Sequence, residues 1–533
     1  MGGLALMEKE YIVILNPDID FDQFNQEMID NTGAGVIPNR VVDIANARPG
    51  SQRSTHYALT DEEAEQLKND PRVRDVEIPP DQRDDIEIGL FASQSGDFTK
   101  TTSDSGSQLN WGMRRCIENT NPYGSSNSDP GGDFTYTLDG EGVDVVIQDS
   151  GLQVDHPEFN DEDGNSRVQQ INWYTESGLS GTQSSNHYRD YDGHGTHVAG
   201  TAAGLTYGWA KNARIYSVKV GGLEGSGDSS TGISTTDCFD VIKEWHNNKP
   251  IDPNTGFKRP TIVNMSWGYS ASVSSVTTIV YRGTTYNSSN DSSFSSSPNT
   301  HMANTYGLYP YNVFGYGYIY PVRVSSIDSD VEELIAAGVH VCIAAGNNRF
   351  KADVVGGLDY DNFWSPLGGE ENLAHSTNWR HYHRGSSPYS DNAMMVGSVD
   401  STTSSGTDQI SSFTTKGPGI TLFAPGSNIR SSFSNTNRHN DSTYYLNSSF
   451  KQGSISGTSM ASPQVCGLGA TVLQLNPHLT PAQLQLKLTN LASNNVLYTT
   501  NSGIDYADNR SLLNAPNKLL YTPFNSSNVL SAS

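Results

Sequence analysis

Three short motifs, which lie far apart in the chain, each contain one side chain of a nucleophile, base and acid set. Asp149 follows the apolar run VDVVIQ, His194 lies in DGHGTHVAG, and Ser459 lies in SGTSMASP. A serine hydroxyl is a weak nucleophile until an imidazole accepts its proton, and a carboxylate keeps that imidazole in the correct tautomer. The three residues therefore predict covalent hydrolysis, with Ser459 as the nucleophile, His194 as general base and then acid, and Asp149 as the orienting carboxylate.

A fourth motif, IAAGNN, supplies a candidate donor for the oxyanion that such a reaction forms. Its Asn347 follows an apolar run that predicts a buried strand. Ser459 is predicted to open a helix, where free N–H groups and the helix dipole stabilise negative charge. We expect the Asn347 side-chain amide and the Ser459 N–H to bind the oxyanion; the alternative is that Asn347 only occupies a left-handed turn.

The apolar segments around these motifs predict the elements that position them. Buried strands are predicted at VDVVIQD, ARIYSVKV, PTIVNMSWG and VHVCIAAGN, and helices at TTDCFDVIKEWHNN and DSDVEELIAAG. Strands that alternate with helices in this way favour an α/β fold with an open, mostly parallel sheet. Ligands bind such sheets at the carboxyl ends of the strands.

Together, the motifs resemble those of the subtilisin-like serine proteases, the subtilases of the peptidase S8 family. D-S/T-G, H-G-T-H-V-A-G, A-A-G-N and G-T-S-M-A-x-P occur in the family's order, from Asn110 to about Ala492, and HVAGTAAGLTYGWAKNARIYSVKV is most similar to the proteinase K branch. The order Asp, His, Ser differs from the Ser, Asp, His order of the α/β-hydrolases. The resemblance implies a three-layer subtilisin-like domain in residues 109–522, with helices on both sides of the central sheet, and serine endopeptidase activity on proteins or peptides.

The resemblance also implies where an extended substrate would bind. Subtilases hold a peptide between two edge segments by backbone pairing, which depends more on shape than on sequence. The corresponding residues here are Gly225, Ser226 and Gly227, then Ser266, Trp267 and Gly268, with Ala344, Ala345 and Gly346 before the oxyanion motif. The GSG segment has an alternative interpretation as an ordinary flexible loop.

The amino-terminal region, residues 8–80, is predicted to form a small α+β unit. EYIVIL and VRDVEI predict strands, and TDEEAEQLKND predicts a helix in which Thr60 and Glu63 form a capping box. The unit resembles the inhibitor-type propeptide of subtilases, which implies that it assists folding and inhibits the enzyme until the chain cuts itself. Residues 81–108 are the expected linker, in which IEIGLFAS leads to the active site and the cut is expected near Leu90 to Ser95. An unrelated small binding domain is the alternative.

Three segments rich in Ser, Tyr, Asn and Gly interrupt the family pattern. They lie near residues 269–324, 349–391 and 434–453, and we expect them to be surface loops. The sequence leaves three alternatives for their role: narrowing of the cleft, binding of a partner, or neither of these. Residues 523–533 are expected to form a carboxyl-terminal tail.

The expected chemistry needs no cofactor, and the sequence leaves a structural metal open. The TYG-AK run implies that the first calcium site of bacterial subtilisins is missing, whereas Asp400 resembles a calcium ligand of the proteinase K branch. His381 and His383 predict a surface turn rather than a metal site, and His197 is expected to be structural. The cysteines, which show no C-x-x-C pair, are predicted to be buried free thiols: Cys116, Cys238, Cys342 and Cys466.

Charge and hydropathy limit the partners. A formal net charge of -25 argues against nucleic acid or an anionic membrane as partner. No apolar run reaches the roughly 18 residues of a membrane span, and the start lacks the pattern of a secretion signal. We therefore expect neither a membrane-spanning segment nor a secretion signal. The alternative to an active protease is a catalytically silent or permanently inhibited subtilase scaffold that serves as a binding protein, for example on a virus particle.

Overall fold

The chain forms an amino-terminal α+β unit that packs on a larger α/β domain. The computed structural model describes residues 8–31, 40–83, 87–90, 110–125, 136, 138–220, 232–253, 255–310, 317–366, 380–499 and 505–523, with the backbone alone for residues 87–90. None of the helices in the described part of the chain is both long and apolar enough to cross a membrane.

The amino-terminal unit is a four-stranded antiparallel sheet with two helices. Its elements are β1 (Lys9–Leu15), α1 (Phe21–Asp30), β2 (Ile44–Asn46), β3 (Ser54–Leu59), α2 (Asp61–Leu67) and β4 (Val73–Glu77). The strand order is β2-β3-β1-β4, so the long β1 lies in the middle, where its apolar residues are buried. The expected capping box is present: Thr60 and Glu63 bond reciprocally at the start of α2.

The larger domain contains the remaining elements. In chain order these are β5 (Glu87–Leu90), α3 (Trp111–Cys116), β6 (Asp144–Asp149), α4 (Trp173–Ser177), α5 (His194–Ala203), β7 (Arg214–Lys219), α6 (Thr235–Asn248), β8 (Thr261–Met265), β9 (Trp267–Val273), β10 (Val276–Tyr281), β11 (Thr284–Tyr286), α7 (Thr300–Tyr306), β12 (Tyr318–Pro321), α8 (Ser325–Ala336), β13 (His340–Ala344), β14 (Phe363–Pro366), β15 (Met394–Ser404), β16 (Thr407–Ile410), β17 (Leu422–Pro425), β18 (Ile429–Phe433), β19 (Ser442–Thr443), β20 (Lys451–Ile455), α9 (Thr458–Leu475), α10 (Pro481–Leu491), β21 (Ser493–Asn494) and β22 (Lys518–Leu519).

The central sheet is mostly parallel, as predicted. Its order is β21-β22-β17-β15-β13-β8-β6-β7, with β16 beside β15. The pairs along this order are parallel except for β21 with β22, and β16 pairs antiparallel with β15. The carboxyl ends of β6 and β13 therefore lie at one edge of the sheet, which brings Asp149 and Ala344 to the same side of the domain.

Helices cover both faces of this sheet, so the domain has three layers. Successive side chains of a strand point to opposite faces. Accordingly, Val146 of β6 belongs to the apolar core beneath α6 and α8, whereas Val145 and Ile147 belong to the core beneath α5 and α9. Because neither face meets water, β6 and its neighbours are continuous apolar runs rather than alternating ones.

The expectation that the inserts are surface loops is wrong for the first insert. This segment extends β9 and adds β10, β11, α7 and β12, and its Val276, Met302 and Tyr318 are fully buried. The first and second inserts also share a sheet, because β14 of the second pairs with β10 of the first. The serine and asparagine content suggested loops, whereas regularly spaced aromatic and branched residues provide a core.

Candidate active site

Asp149 and His194 are in direct contact at the carboxyl end of the sheet. Asp149 is the last residue of β6, and His194 is the first residue of α5, after Gly193 in a left-handed conformation with φ 92°. Both side chains are fully buried, and His194 Nδ1 lies 2.8 Å from Asp149 Oδ1. Burial alone would lower the pKa of His194, but the carboxylates around it, first that of Asp149, raise the pKa above its ordinary value. This geometry leaves Nε2 as the basic atom of the ring.

Ser459 is the second residue of α9 and is also fully buried. Its hydroxyl donates to the carbonyl oxygen of Ser266 at 3.0 Å, and the Ser266 hydroxyl donates to the Ser459 carbonyl at 3.0 Å. His194 Nε2 has no hydrogen-bond partner among the described residues. The Ser459 hydroxyl is therefore turned toward the start of β9; hydrogen bonds between a nucleophile and its base are often long in the free enzyme and tighten in the substrate complex.

Asn347 is held against the residue that precedes the nucleophile. Its Oδ1 accepts the backbone N–H of Thr458 at 2.9 Å and the Thr458 hydroxyl at 3.0 Å. Gly346 donates its N–H to the same hydroxyl at 3.0 Å. Because the amide oxygen is occupied in this way, both protons of the amide nitrogen are available to an acceptor beside Ser459, as an oxyanion donor requires.

The structure describes two of the three segments that were predicted to bind substrate. Ser266 is the residue before β9, and Trp267 and Gly268 open that strand; Ala344, Ala345 and Gly346 are buried at the end of β13. The Trp267 indole donates to Gln148 Oε1 at 3.2 Å, which ties β9 to β6 beside Asp149. Gly225, Ser226 and Gly227 lie outside the described residues.

Comparison with known proteins places the chain in a family. The model of the subtilase family, Peptidase_S8, matches residues 140–511. The chain is a subtilase. It is 27% identical over 472 residues to the extracellular serine proteinase of Thermus sp. (strain Rt41A), across 89% of this chain and 76% of that protein. It is 29% identical over 369 residues to proteinase R of Parengyodontium album, across 68% of this chain and 60% of that protein.

Two further similarities complete the comparison. The alkaline serine exoprotease A of Vibrio alginolyticus is 25% identical over 526 residues, across 97% of this chain and 68% of that protein. A crystal structure of a cold-adapted subtilisin-like serine proteinase aligns with a TM-score of 0.45 and 26% identity, across 77% of this chain and 97% of that one. Because the chain belongs to the subtilase family, it is a serine endopeptidase, and its substrates are proteins or peptides.

One positioning residue of this subtilase was missed from the sequence. Asp190 is almost fully buried, and its carboxylate accepts the hydroxyl of Ser150 at 2.9 Å, the N–H of Gly193 at 2.8 Å and the N–H of Thr196 at 2.9 Å. It thus joins the turn after Asp149 to the first turn of α5, and burial raises its pKa to about 7. The only sequence signal was a second acidic residue four positions before His194.

The remaining histidine and cysteine predictions have mixed outcomes. His197 is buried, and its Nε2 lies 3.0 Å from the carbonyl oxygen of Ile429, as a structural residue would be. The surface turn expected around His381 and His383 is wrong, because His383 is fully buried and stacks on Tyr506 at 5.4 Å. The four cysteines are buried and free, as predicted.

The calcium expectation at Asp400 stays a prediction. The Asp400 carboxylate accepts the N–H of Thr402 at 2.9 Å. Within the described ranges, no group of three or more His, Cys, Asp or Glu residues could hold a metal ion. Calcium also takes carbonyl and amide oxygens as ligands, so backbone groups would have to complete any such site.

Proposed function

We propose that this subtilase cuts peptide bonds with Asp149, His194 and Ser459, and that it is made as a zymogen that processes itself. Ser459 Oγ attacks the carbonyl carbon of the scissile bond while His194 Nε2 takes the hydroxyl proton. The observation that carries the assignment is the 2.8 Å contact between His194 Nδ1 and Asp149 Oδ1, because it orients the ring and stabilises the imidazolium.

The second half of the reaction uses the same groups. The Asn347 amide and the Ser459 N–H donate to the oxyanion of the tetrahedral intermediate. When the C–N bond breaks, His194 gives its proton to the leaving amine, and Ser459 remains as an ester. Water then attacks this ester while His194 takes its proton, and His194 gives that proton to Ser459 Oγ as the ester bond breaks, so the enzyme is restored without a cofactor.

The segment before the expected cut lies along the substrate strand, which supports self-processing. β5 is antiparallel to β9, with Leu90 opposite Trp267. Ser266, one residue before β9, has its carbonyl oxygen 3.0 Å from Ser459 Oγ. A register that continued by one residue would set residue 91 opposite Ser266 and beside the nucleophile. We therefore expect cleavage after residue 91, within the predicted span of 90–95, of which residues 91–95 lie outside the described residues.

The amino-terminal unit is anchored on the catalytic domain by buried charges, which supports a role as intramolecular inhibitor. Arg48 is buried and lies 3.0 Å from Asp240 of α6 and 3.1 Å from Asp330 of α8. Glu77 accepts the N–H of Ser326 at 2.8 Å, in the first turn of α8, where a carboxylate complements the helix dipole. The unit thus rests on two helices and delivers β5 to the cleft.

The test compares the wild type with Ser459→Ala. Full-length protein is followed by mass spectrometry for self-cleavage and by reaction with a fluorophosphonate, which labels activated serines. The wild type is expected to be cut and labelled, and Ser459→Ala to be neither. A wild-type chain that is neither cut nor labelled would support the alternative, a permanently inhibited scaffold, since the fully buried Ser459 and the occupied strand edge are consistent with both.

A further inference from the structure

The third insert, residues 434–453, packs directly on the loop that leads into the catalytic helix. Arg438 donates its backbone N–H to the carbonyl oxygen of Asp192 at 3.1 Å. A Cβ atom on Gly193, the residue before His194, would lie only 2.4 Å from the Cβ of Asn437. The insert therefore touches the two residues that precede the catalytic histidine.

Two side chains of the insert clamp the carboxylate of Asp192, which is fully buried. Arg438 Nε lies 2.5 Å from Asp192 Oδ2, and His439 Nε2 lies 3.2 Å from Asp192 Oδ1. His439 is fixed in turn, because its ring stacks on Phe433 with the centroids 5.1 Å apart and the planes 6° apart. Arg438 is different, since its side chain is 54% exposed, so it can be replaced without opening the core.

The clamped carboxylate reaches the catalytic residue itself. Asp192 Oδ1 accepts the backbone N–H of His194 at 3.3 Å. Burial alone would raise the pKa of Asp192, but His439, His194 and Arg438 hold it below its ordinary value, so the group is ionised. Its negative charge in turn contributes to the raised pKa of His194.

The charges that face His194 come from four elements of the fold. The carboxyl groups are Asp149 at the end of β6 and Asp190 and Asp192 before α5, of which Asp190 has its pKa raised to about 7 by burial; His197 lies one turn further along α5. The cation that faces them is Arg438 of the insert, and His439 of the same insert contacts Asp192 through Nε2. Among the described surroundings of His194, Asp192 is thus the carboxylate that the insert contacts and whose charge Arg438 offsets.

We propose that Arg438 and His439 are positioning residues of the catalytic machinery: both hold Asp192 against the backbone of His194, and the Arg438 guanidinium offsets the charge of Asp192. The insert thereby sets the pH range in which His194 acts as a base. This inference rests on the proposed function, and it assigns the third insert a role in catalysis rather than in cleft narrowing or partner binding.

A double-mutant cycle of Arg438 and Asp192 tests this inference. The pH profile of kcat/KM is measured for each variant. Arg438→Gln leaves the Asp192 charge unbalanced, so the midpoint of the acidic limb is expected to rise by about 0.5 to 1 pH unit. Asp192→Asn removes that charge, and the midpoint is expected to fall by a similar amount. The double variant is expected to return close to the wild type. Lys451→Gln removes another cation of the same insert, one that pairs with Asp441 at 3.0 Å, and is expected to leave the midpoint unchanged.

A direct titration keeps the test independent of turnover. NMR measures the pKa of the His194 ring in the full chain with Ser459→Ala. It is applied to this parent chain and to Arg438→Gln, Asp192→Asn and the double variant made in it. His194→Gln assigns the signal. Equal midpoints in all variants, or shifts in the same direction for Arg438→Gln and Asp192→Asn, would overturn the inference. Opposite shifts in a chain that never cleaves peptides would instead contradict only the proposed function.

Discussion

Asn347 and Thr458 are joined twice, because the Asn347 Oδ1 atom accepts both the backbone N–H and the hydroxyl of Thr458. The two residues are 111 positions apart, at the end of β13 and the start of α9. The contact fixes the distance between the two proposed oxyanion donors, Asn347 and the Ser459 N–H, since Thr458 is bonded covalently to Ser459. A donor set that is fixed before substrate binds needs no reorganisation in the transition state.

Replacement of Asn347 by Ala is expected to lower kcat about 100- to 1,000-fold with little change in KM, because the lost hydrogen bond acts mainly in the transition state. Steady-state kinetics on a peptide substrate measure both constants. Asn248→Ala is the matched control, since its amide bonds the carbonyl oxygen of Ser177 and touches none of the catalytic residues. An unchanged kcat in Asn347→Ala would exclude this residue as an oxyanion donor.

Thr458→Val removes one of the two bonds that orient Asn347 and also leaves the Gly346 N–H without this acceptor. We expect kcat to fall by about tenfold, in line with the loss of one hydrogen bond. Thr458→Ser keeps the hydroxyl and is expected to stay near the wild type. If Val and Ser behaved alike, the hydroxyl would have no part in positioning the amide.

The new amino terminus of the processed chain is expected at residue 92. This follows from the register of β5 on β9 and from the contact of Ser266 with Ser459. Intact mass and amino-terminal sequencing of the cut protein locate the bond. A terminus other than residue 92 would contradict the register argument, although it would leave the assignment of the triad intact.

Arg48→Met is expected to weaken the docking of the amino-terminal unit strongly, because Asp330 loses its buried cation and Asp240 keeps only Lys243, at 3.8 Å. Removal of one partner of a buried ion pair costs about 3 to 5 kcal/mol. Arg74→Met is the control, since Arg74 pairs with Glu332 near the surface at 3.2 Å, and such pairs contribute less than about 1 kcal/mol. The readout is the rate at which activity emerges after self-cleavage, which should rise much more for Arg48→Met.

Docking of the unit is expected to weaken as the pH rises through neutrality. Burial, more than the nearby Asp75, raises the pKa of Glu77 to about 7 in the docked state, from an ordinary value of 4.5. A carboxyl group whose pKa is raised by docking favours docking when protonated, so that its contribution is complete below the ordinary pKa and is lost as the pH passes the raised one.

Activity should therefore emerge faster at about pH 8.5 than at about pH 6. Glu77→Gln, which keeps the acceptor for the Ser326 N–H, is expected to reduce this pH dependence. Asp330, whose pKa burial raises to about 8, should account for the dependence that remains. Faster release in acid would show that other groups dominate the interface.

The sequence predicted the fold class and suggested the site residues because both depend on local patterns. Asp149 is the last residue of an apolar strand, and His194 is the first residue of a helix that follows a glycine. About ten residues of sequence are enough to recognise either feature. The clamp on Asp192 could not be predicted in this way, because His439 and Asp192 are 247 positions apart and meet only in the folded chain. The sheet shared by the first two inserts was missed for the same reason, since β14 pairs with β10 across more than 80 positions of the chain.

The edge of β9 that β5 covers has a consequence for how the protein can be stored. β9 is seven residues long, and a free strand edge of this length can pair with any extended chain, including another copy of the same protein. While β5 occupies the edge, concentrated protein has no open template for such pairing and no access to its own nucleophile. Once the amino-terminal unit has left, the enzyme should be most stable in storage when it is dilute or bound to a peptide ligand. Self-association and autolysis both begin with an extended chain that pairs with β9.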